Sequence, residues 1–184
     1  MSTQINILSA NPYTITGGLF AQTANSTPIT NTDVETSLIN GGVGTLSVPA
    51  NGFKIGDSFR VVIAGVLNVD NNQTIRIRVK DGTSILADSG AKTISNIAGD
   101  VFSLNVDFTV RALGGPGVAS IVTLGTFHYT KTSNASTQGF AFNNINNTTF
   151  DTTIANALDI TVQWGAANLG NSIYSDICIL NKTY

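Results

Sequence analysis

Residues 101–130 read VFSLNVDFTVRALGGPGVASIVTLGTFHYT. Phe102, Leu104, Val106, Phe108 and Val110 alternate with Ser103, Asn105, Asp107, Thr109 and Arg111, the period of a strand with one face buried and the other in water. Gly114-Gly115-Pro116-Gly117 stops the alternation, and ASIVTLGTFHYT, residues 119–130, runs back. Two long strands around a glycine-proline turn form the basic unit of an antiparallel all-β domain.

The same reading extends in both directions. SFRVVIAGVLNV, residues 58–69, turns through Asp70-Asn71-Asn72 and returns as TIRIRVK, with Ile75, Ile77 and Val79 on one face and Arg76, Arg78 and Lys80 on the other. This pair is expected to be a hairpin. Asp81-Gly82 is a tight-turn dipeptide leading into TSILADSG, so a meander is expected here. Upstream, GLFAQTAN (18–25), VETSLI (34–39) and VGTLSVPA (43–50) give shorter strands. Residues 131–156 read as a long polar connection anchored by Phe140, Phe142 and Phe150, and a last pair occupies 157–166 and 172–182. Residues 1–16 are expected to be an extended arm and 17–184 a single domain. Eight to ten strands with few helix signals predict an antiparallel β-sandwich with jelly-roll connections. An immunoglobulin-type sandwich lacks its Cys…Trp…Cys spacing.

The charge content is unusual. Asp, Glu, Lys and Arg make up 11% of 184 residues, against roughly 25% in an ordinary soluble domain. Asn and Thr fill about a quarter of the chain. A neutral polar surface repels its neighbours weakly, which suits a protein packed against copies of itself; a β-rich domain with Thr-rich strands is the plainer explanation. A net charge of −2 and basic residues that never cluster, apart from Arg76, Arg78 and Lys80, argue against a nucleic-acid partner. No apolar run approaches the ~20 residues of a membrane span, and residues 1–18 lack the pattern of a secretory signal. The single Cys178 excludes an internal disulfide and a cysteine metal site.

No catalytic constellation is visible, and no cofactor or metal is expected. The chain has one His and one Glu. His128, between Phe127 and Tyr129, points away from them with Leu124 and Thr126, and reads as a structural or interface residue. Glu35 has no partner identifiable from sequence. Gly41-Gly42-Val43-Gly44 and Gly114-Gly115-Pro116-Gly117 lack the Lys-Ser/Thr of a phosphate loop and read as turns. Asp70-Asn71-Asn72 fails the calcium-loop spacing. Tyr13, Phe140, Phe142, Phe150 and Tyr174 are candidates for stacking on a sugar; plugging the ends of a sandwich is the competing role.

The closing strand is apolar on both sides: Ile173, Tyr174, Ile177, Cys178, Ile179 and Leu180. Simple alternation assigns Tyr174, Cys178 and Leu180 to one face and Ile173, Ile177 and Ile179 to the other. Without helices to cover the second face, a subunit interface is expected, involving Tyr174, Ile177, Cys178, Ile179, Leu180 and His128.

Three stretches, SFRVVIAGVLNVDNNQTIRIRVKDGTSILADSG, the pair around RALGGPG, and DTTIANALDITVQWGAANLGNSI, together resemble the single jelly-roll, tumour-necrosis-factor/C1q-like domains of viral and phage structural proteins. The resemblance covers about residues 40–184. It implies a non-enzymatic homotrimer in a virion, as a minor capsid, fibre or spike component among other virion proteins. A carbohydrate- or receptor-binding attachment module using Phe140, Phe142 and Phe150 is the alternative, with a host glycan or receptor as partner.

Overall fold

The computed structural model describes residues 17–39, 46–70, 72–132 and 135–184; the arm expected at 1–16, Tyr13 and the Gly41–Gly44 turn lie outside them. The first strands are β1 (Gly17–Ala21), β2 (Ile29–Thr30), β3 (Thr36–Ser37), β4 (Leu46–Val48), β5 (Ser58–Val69) and β6 (Gln73–Asp81). Then come β7 (Ser84–Asp88), β8 (Lys92–Ile94), β9 (Ile97–Ala112), β10 (Ser120–Lys131), β11 (Ser136–Asn146), β12 (Asn156–Trp164) and β13 (Ser172–Lys182). They form two antiparallel sheets. Sheet A runs β1-β13-β5-β9-β10-β11, with β2 also on β13; sheet B runs β3-β12-β6-β7, with β4 on β12 and β8 on β6.

The expected β-sandwich is present. Apolar rows from both sheets meet between them: Val61, Ile63, Leu104, Val106 and Phe127 from sheet A, Ile75, Ile77, Val79, Ile160 and Trp164 from sheet B, all at most 1% exposed. Each such side chain fully withdrawn from water contributes roughly 1.5–3 kcal/mol. Trp164 donates its indole N–H to the Ile29 carbonyl at 3.2 Å, so its one polar atom is satisfied inside the core.

β9 and β10 pair as the alternation predicts, with Phe102 opposite Tyr129 and Val106 opposite Gly125. Gly114 and Gly117 both have positive φ in the connecting turn, a conformation that side chains with a Cβ rarely adopt. β6 and β7 form a hairpin at Asp81-Gly82.

Two expected pairs are not pairs. β5 lies in sheet A and β6 in sheet B, so the two strands lie on opposite sides of the sandwich rather than pairing as a hairpin. β12 and β13 divide in the same way. The physical reason is common to both. Each strand presents an apolar row to the same interior, and folding one over the other sets those rows face to face. Alternation records which face is buried and is silent on the edge neighbour.

A third correction concerns residues 131–156. Much of that connection is β11, which pairs along its length with β10 and forms the edge of sheet A. Asn144 and Asn146 donate their side-chain amides to the Leu86 and Ile85 carbonyls of β7, tying the two sheets together on that side. Asn146 Oδ1 also accepts the backbone N–H groups of Thr148, Thr149 and Phe150, which shapes the following turn.

Candidate functional site

β13 is an interior strand of sheet A, between β1 and β5. Its register slips between Ser175 and Ile177, a β-bulge that reverses the face of every residue before it. Ile173, Ser175, Cys178 and Leu180 therefore point into the core, while Tyr174, Ile177 and Ile179 point outward. The simple alternation grouped Tyr174 with Cys178 and Leu180, and Ile173 with Ile177 and Ile179. The bulge is why both groupings fail. Cys178 and Leu180 belong to the core and take no part in an outer surface. Burial pushes the Cys178 thiol up to about 12.

Ile177 is 47% exposed and Ile179 36%. Across the ladder Ile177 faces Ala64 and then Ser103, while Ile179 faces Val62 and then Asn105. Tyr174 faces Val66, which faces Val101, itself 65% exposed. Tyr174, Ile177, Ile179, Val62, Ala64 and Val66 make a mostly apolar surface over β13 and β5 that extends onto β9 at Val101, while Ser103 and Asn105 are its polar neighbours there; its three rows carry no charged group. The Arg60–Asp107 ion pair, at 2.7 Å, borders it at one end, and Asp176 is exposed at the bulge. His128 is exposed on the same outer face but three strands from Ile177, roughly 14 Å away, opposite Ser103 and Gly139.

Val62, Ala64 and Val66 were missed from sequence, although the signal was there. SFRVVIAGVLNV is apolar in both of its alternating rows, as the last strand is.

The outer face of sheet B differs in kind. Arg78, itself buried, donates to Glu35 at 2.8 Å and to Gln163 at 3.0 Å, and its Nε reaches Asp88 at 3.2 Å. Lys80 bridges to Glu35 at 3.1 Å and Arg76 to Asp88. Burial raises the Glu35 carboxyl, and hydrogen bonds from Thr161 and Lys80 with the Arg78 charge more than offset that, so its pKa is lowered overall. The Asp88 carboxyl is held down to about 2, chiefly by its hydrogen bonds from Arg76. The Arg76, Arg78 and Lys80 row is thus held in ion pairs with Glu35 and Asp88 rather than offered whole to a polyanion.

Of the candidate ligand-stacking aromatics, Phe142 and Phe150 are core residues, Phe140 packs partly buried against the core, and Tyr174 is partly buried on the outer face of sheet A. Phe150 is 1% exposed and lies 5.8 Å from Phe53; Phe142 is 7% exposed. Phe140 is partly buried, 5.2 Å from Phe127 and 6.4 Å from Phe142. Phe140, Phe142 and Phe150 anchor the edge strand and the turn after it because β11 turns its aromatic row inward, so Phe142 and Phe150 present no ring face to a sugar. Among the described residues, no group of three or more His, Cys, Asp or Glu side chains is placed to hold a metal ion.

Comparison of the chain with protein-family models, curated proteins and solved structures finds no match.

Proposed function

We propose that the chain is a non-enzymatic structural protein that assembles with two further copies of itself through the outer face of sheet A. The observation that carries the reading is the uncharged, mostly apolar surface of Tyr174, Ile177, Ile179, Val62, Val66 and Val101, set against an opposite sheet face whose cations are held in ion pairs. The whole outer face of four adjacent strands, β13, β5, β9 and β10, of 11 to 16 residues, its polar and charged rows included, has a plan area on the order of 700 Å². That approaches the ~800 Å² per partner of a stable interface. Burying apolar area yields ~25 cal/mol per Å² before ordering costs.

The threefold arrangement and the setting in a virion come from the resemblance to single jelly-roll structural domains. The strand order supports that reading: β1-β13-β5-β9 in one sheet faces β3-β12-β6-β7 in the other, and consecutive long strands repeatedly change sheet. A low charge content also fits a surface that spends its time against neighbours.

Light scattering coupled to size exclusion tests the assembly. The expected species at micromolar concentration has three times the chain mass; a strictly monomeric protein overturns the reading.

A further inference from the structure

β5 and β13 are pinned together at one end by an ion pair that lies inside the molecule. Lys182 closes β13, and Asp57 stands one residue before β5. The strands pair there, with Lys182 opposite Phe59, and the Thr183 N–H donates to the Ser58 carbonyl at 2.8 Å. Lys182 Nζ and Asp57 Oδ1 are 2.6 Å apart, on side chains only 11% and 7% exposed. Every other ion pair among the described residues has at least one side chain exposed by 22% or more. Both groups border a cavity between the sheets whose other walls include Phe53, Phe59, Phe108, Phe150 and Leu180. Nζ also lies 5.8 Å from the centre of the Phe59 ring. The second carboxyl on that cavity, Asp81, has its pKa raised chiefly by burial, which reports how poorly the site solvates charge.

We propose that Lys182 and Asp57 join covalently, as an amide between Nζ and the Asp57 carboxyl carbon that cross-links β13 to the start of β5. The far oxygen of the carboxyl, Oδ2, accepts the Lys54 N–H at 2.8 Å. The ammonium first passes one proton to Oδ1, leaving a neutral amine against a neutral acid. Nζ then attacks Cγ, and negative charge develops on Oδ2, where the Lys54 N–H already stands to stabilise it. A second Nζ proton moves to Oδ1, the Cγ–Oδ1 bond breaks, and water leaves, so Oδ2 becomes the amide oxygen. One ammonium and one carboxylate give one amide and one water, and nothing is oxidised or reduced. Burial drives the reaction forward, because an apolar setting penalises the two ions and not the neutral amide. The paired strands hold nucleophile and carbon in contact, which supplies the effective concentration that free side chains lack.

Intact mass spectrometry of the full-length chain, folded at neutral pH and then denatured for measurement, tests the cross-link. The expected mass is below that of the sequence by one water, about 18 Da, and a protease digest is expected to yield a peptide pair joined through residues 57 and 182. Lys182→Arg keeps the positive charge but removes the primary amine, and is expected to show its own full mass. A chain held unfolded in urea is likewise expected to lose nothing. Asp81-Gly82 offers a second route to the same loss, through a backbone imide. A deficit that persists in Lys182→Arg, or that forms equally in urea, belongs to that route and overturns the proposal. If the variant does not fold, the native digest decides alone: a full-mass chain, or a water loss without the 57–182 peptide pair, overturns it.

Discussion

Ile177 and Cys178 are adjacent in the chain and lie on opposite faces of β13, Cys178 wholly buried in the core and Ile177 half-exposed on the outer surface of sheet A. The strand therefore separates two roles residue by residue, and substitutions on its two faces should have different consequences.

On the outer face, replacing Ile177 and Ile179 together by Lys places two like charges where copies are proposed to meet. The expected product is a folded monomer, with stability changed by no more than about 1 kcal/mol, because exposed substitutions away from special contacts cost little. Light scattering reads the mass and urea unfolding the stability. A trimer that survives the double substitution rejects this face as the interface.

On the inner face, the Cys178 thiol is held near 12 by burial, so almost no thiolate exists at pH 8. Iodoacetamide is expected to leave the native protein unlabelled and to label it stoichiometrically once urea unfolds it. Mass spectrometry distinguishes the two; rapid native labelling contradicts the burial.

Gly125 makes room for an aromatic ring. A Cβ at this position collides with the Phe142 ring, and the cross-strand pair Gly125–Phe142 joins β10 to β11. Gly125→Ala is expected to destabilise the fold by about 1–3 kcal/mol through overpacking. Adding Phe142→Leu to the same chain should recover part of that loss. Additive losses in the double variant, measured by denaturant titration, show that the ring is not the obstacle.

The ion network on sheet B predicts an acid dependence. The folded Asp88 carboxyl sits at about 2, below its ordinary 3.8, so its contribution to stability is fully present above about pH 4 and fades as pH falls through 2. The unfolding free energy of the native sequence should drop across that window. Asp88→Asn should be less stable at neutral pH and show a shallower drop, and parallel pH profiles for the two proteins contradict the assignment to Asp88.

Much of this architecture was legible in the sequence, and the limits of the reading have physical causes. Alternation identified the buried rows of β6 and β9 correctly, because a two-residue period follows directly from the pleat. It failed at Ile173 and Tyr174, because a bulge adds a residue without leaving a mark in composition. Partner choice in β5–β6 and β12–β13 was illegible, since a strand folded over the sandwich and a strand folded alongside bury the same side chains. β11 escaped detection because STQGFAFNNIN carries three Asn and a Gly, residues depleted in strands, and only its inward Phe140 and Phe142 carry the pattern. The outer aliphatic surface was half-read: the last strand revealed it, while Val62, Ala64 and Val66 were counted only as strand formers.

The division of β12 and β13 between the sheets bears on how the polypeptide matures. Both strands are interior members of their sheets, β12 between β3 and β6, β13 between β1 and β5, yet both follow their sheet neighbours in sequence. A nascent chain emerging from the ribosome holds β1 and β5 long before it has the strand that joins them. Sheet B lacks an interior strand until residues 156–164 are made and sheet A until residues 172–182 are made, so a chain stopped within β12 leaves an interior gap in both sheets and one stopped within β13 leaves it in sheet A.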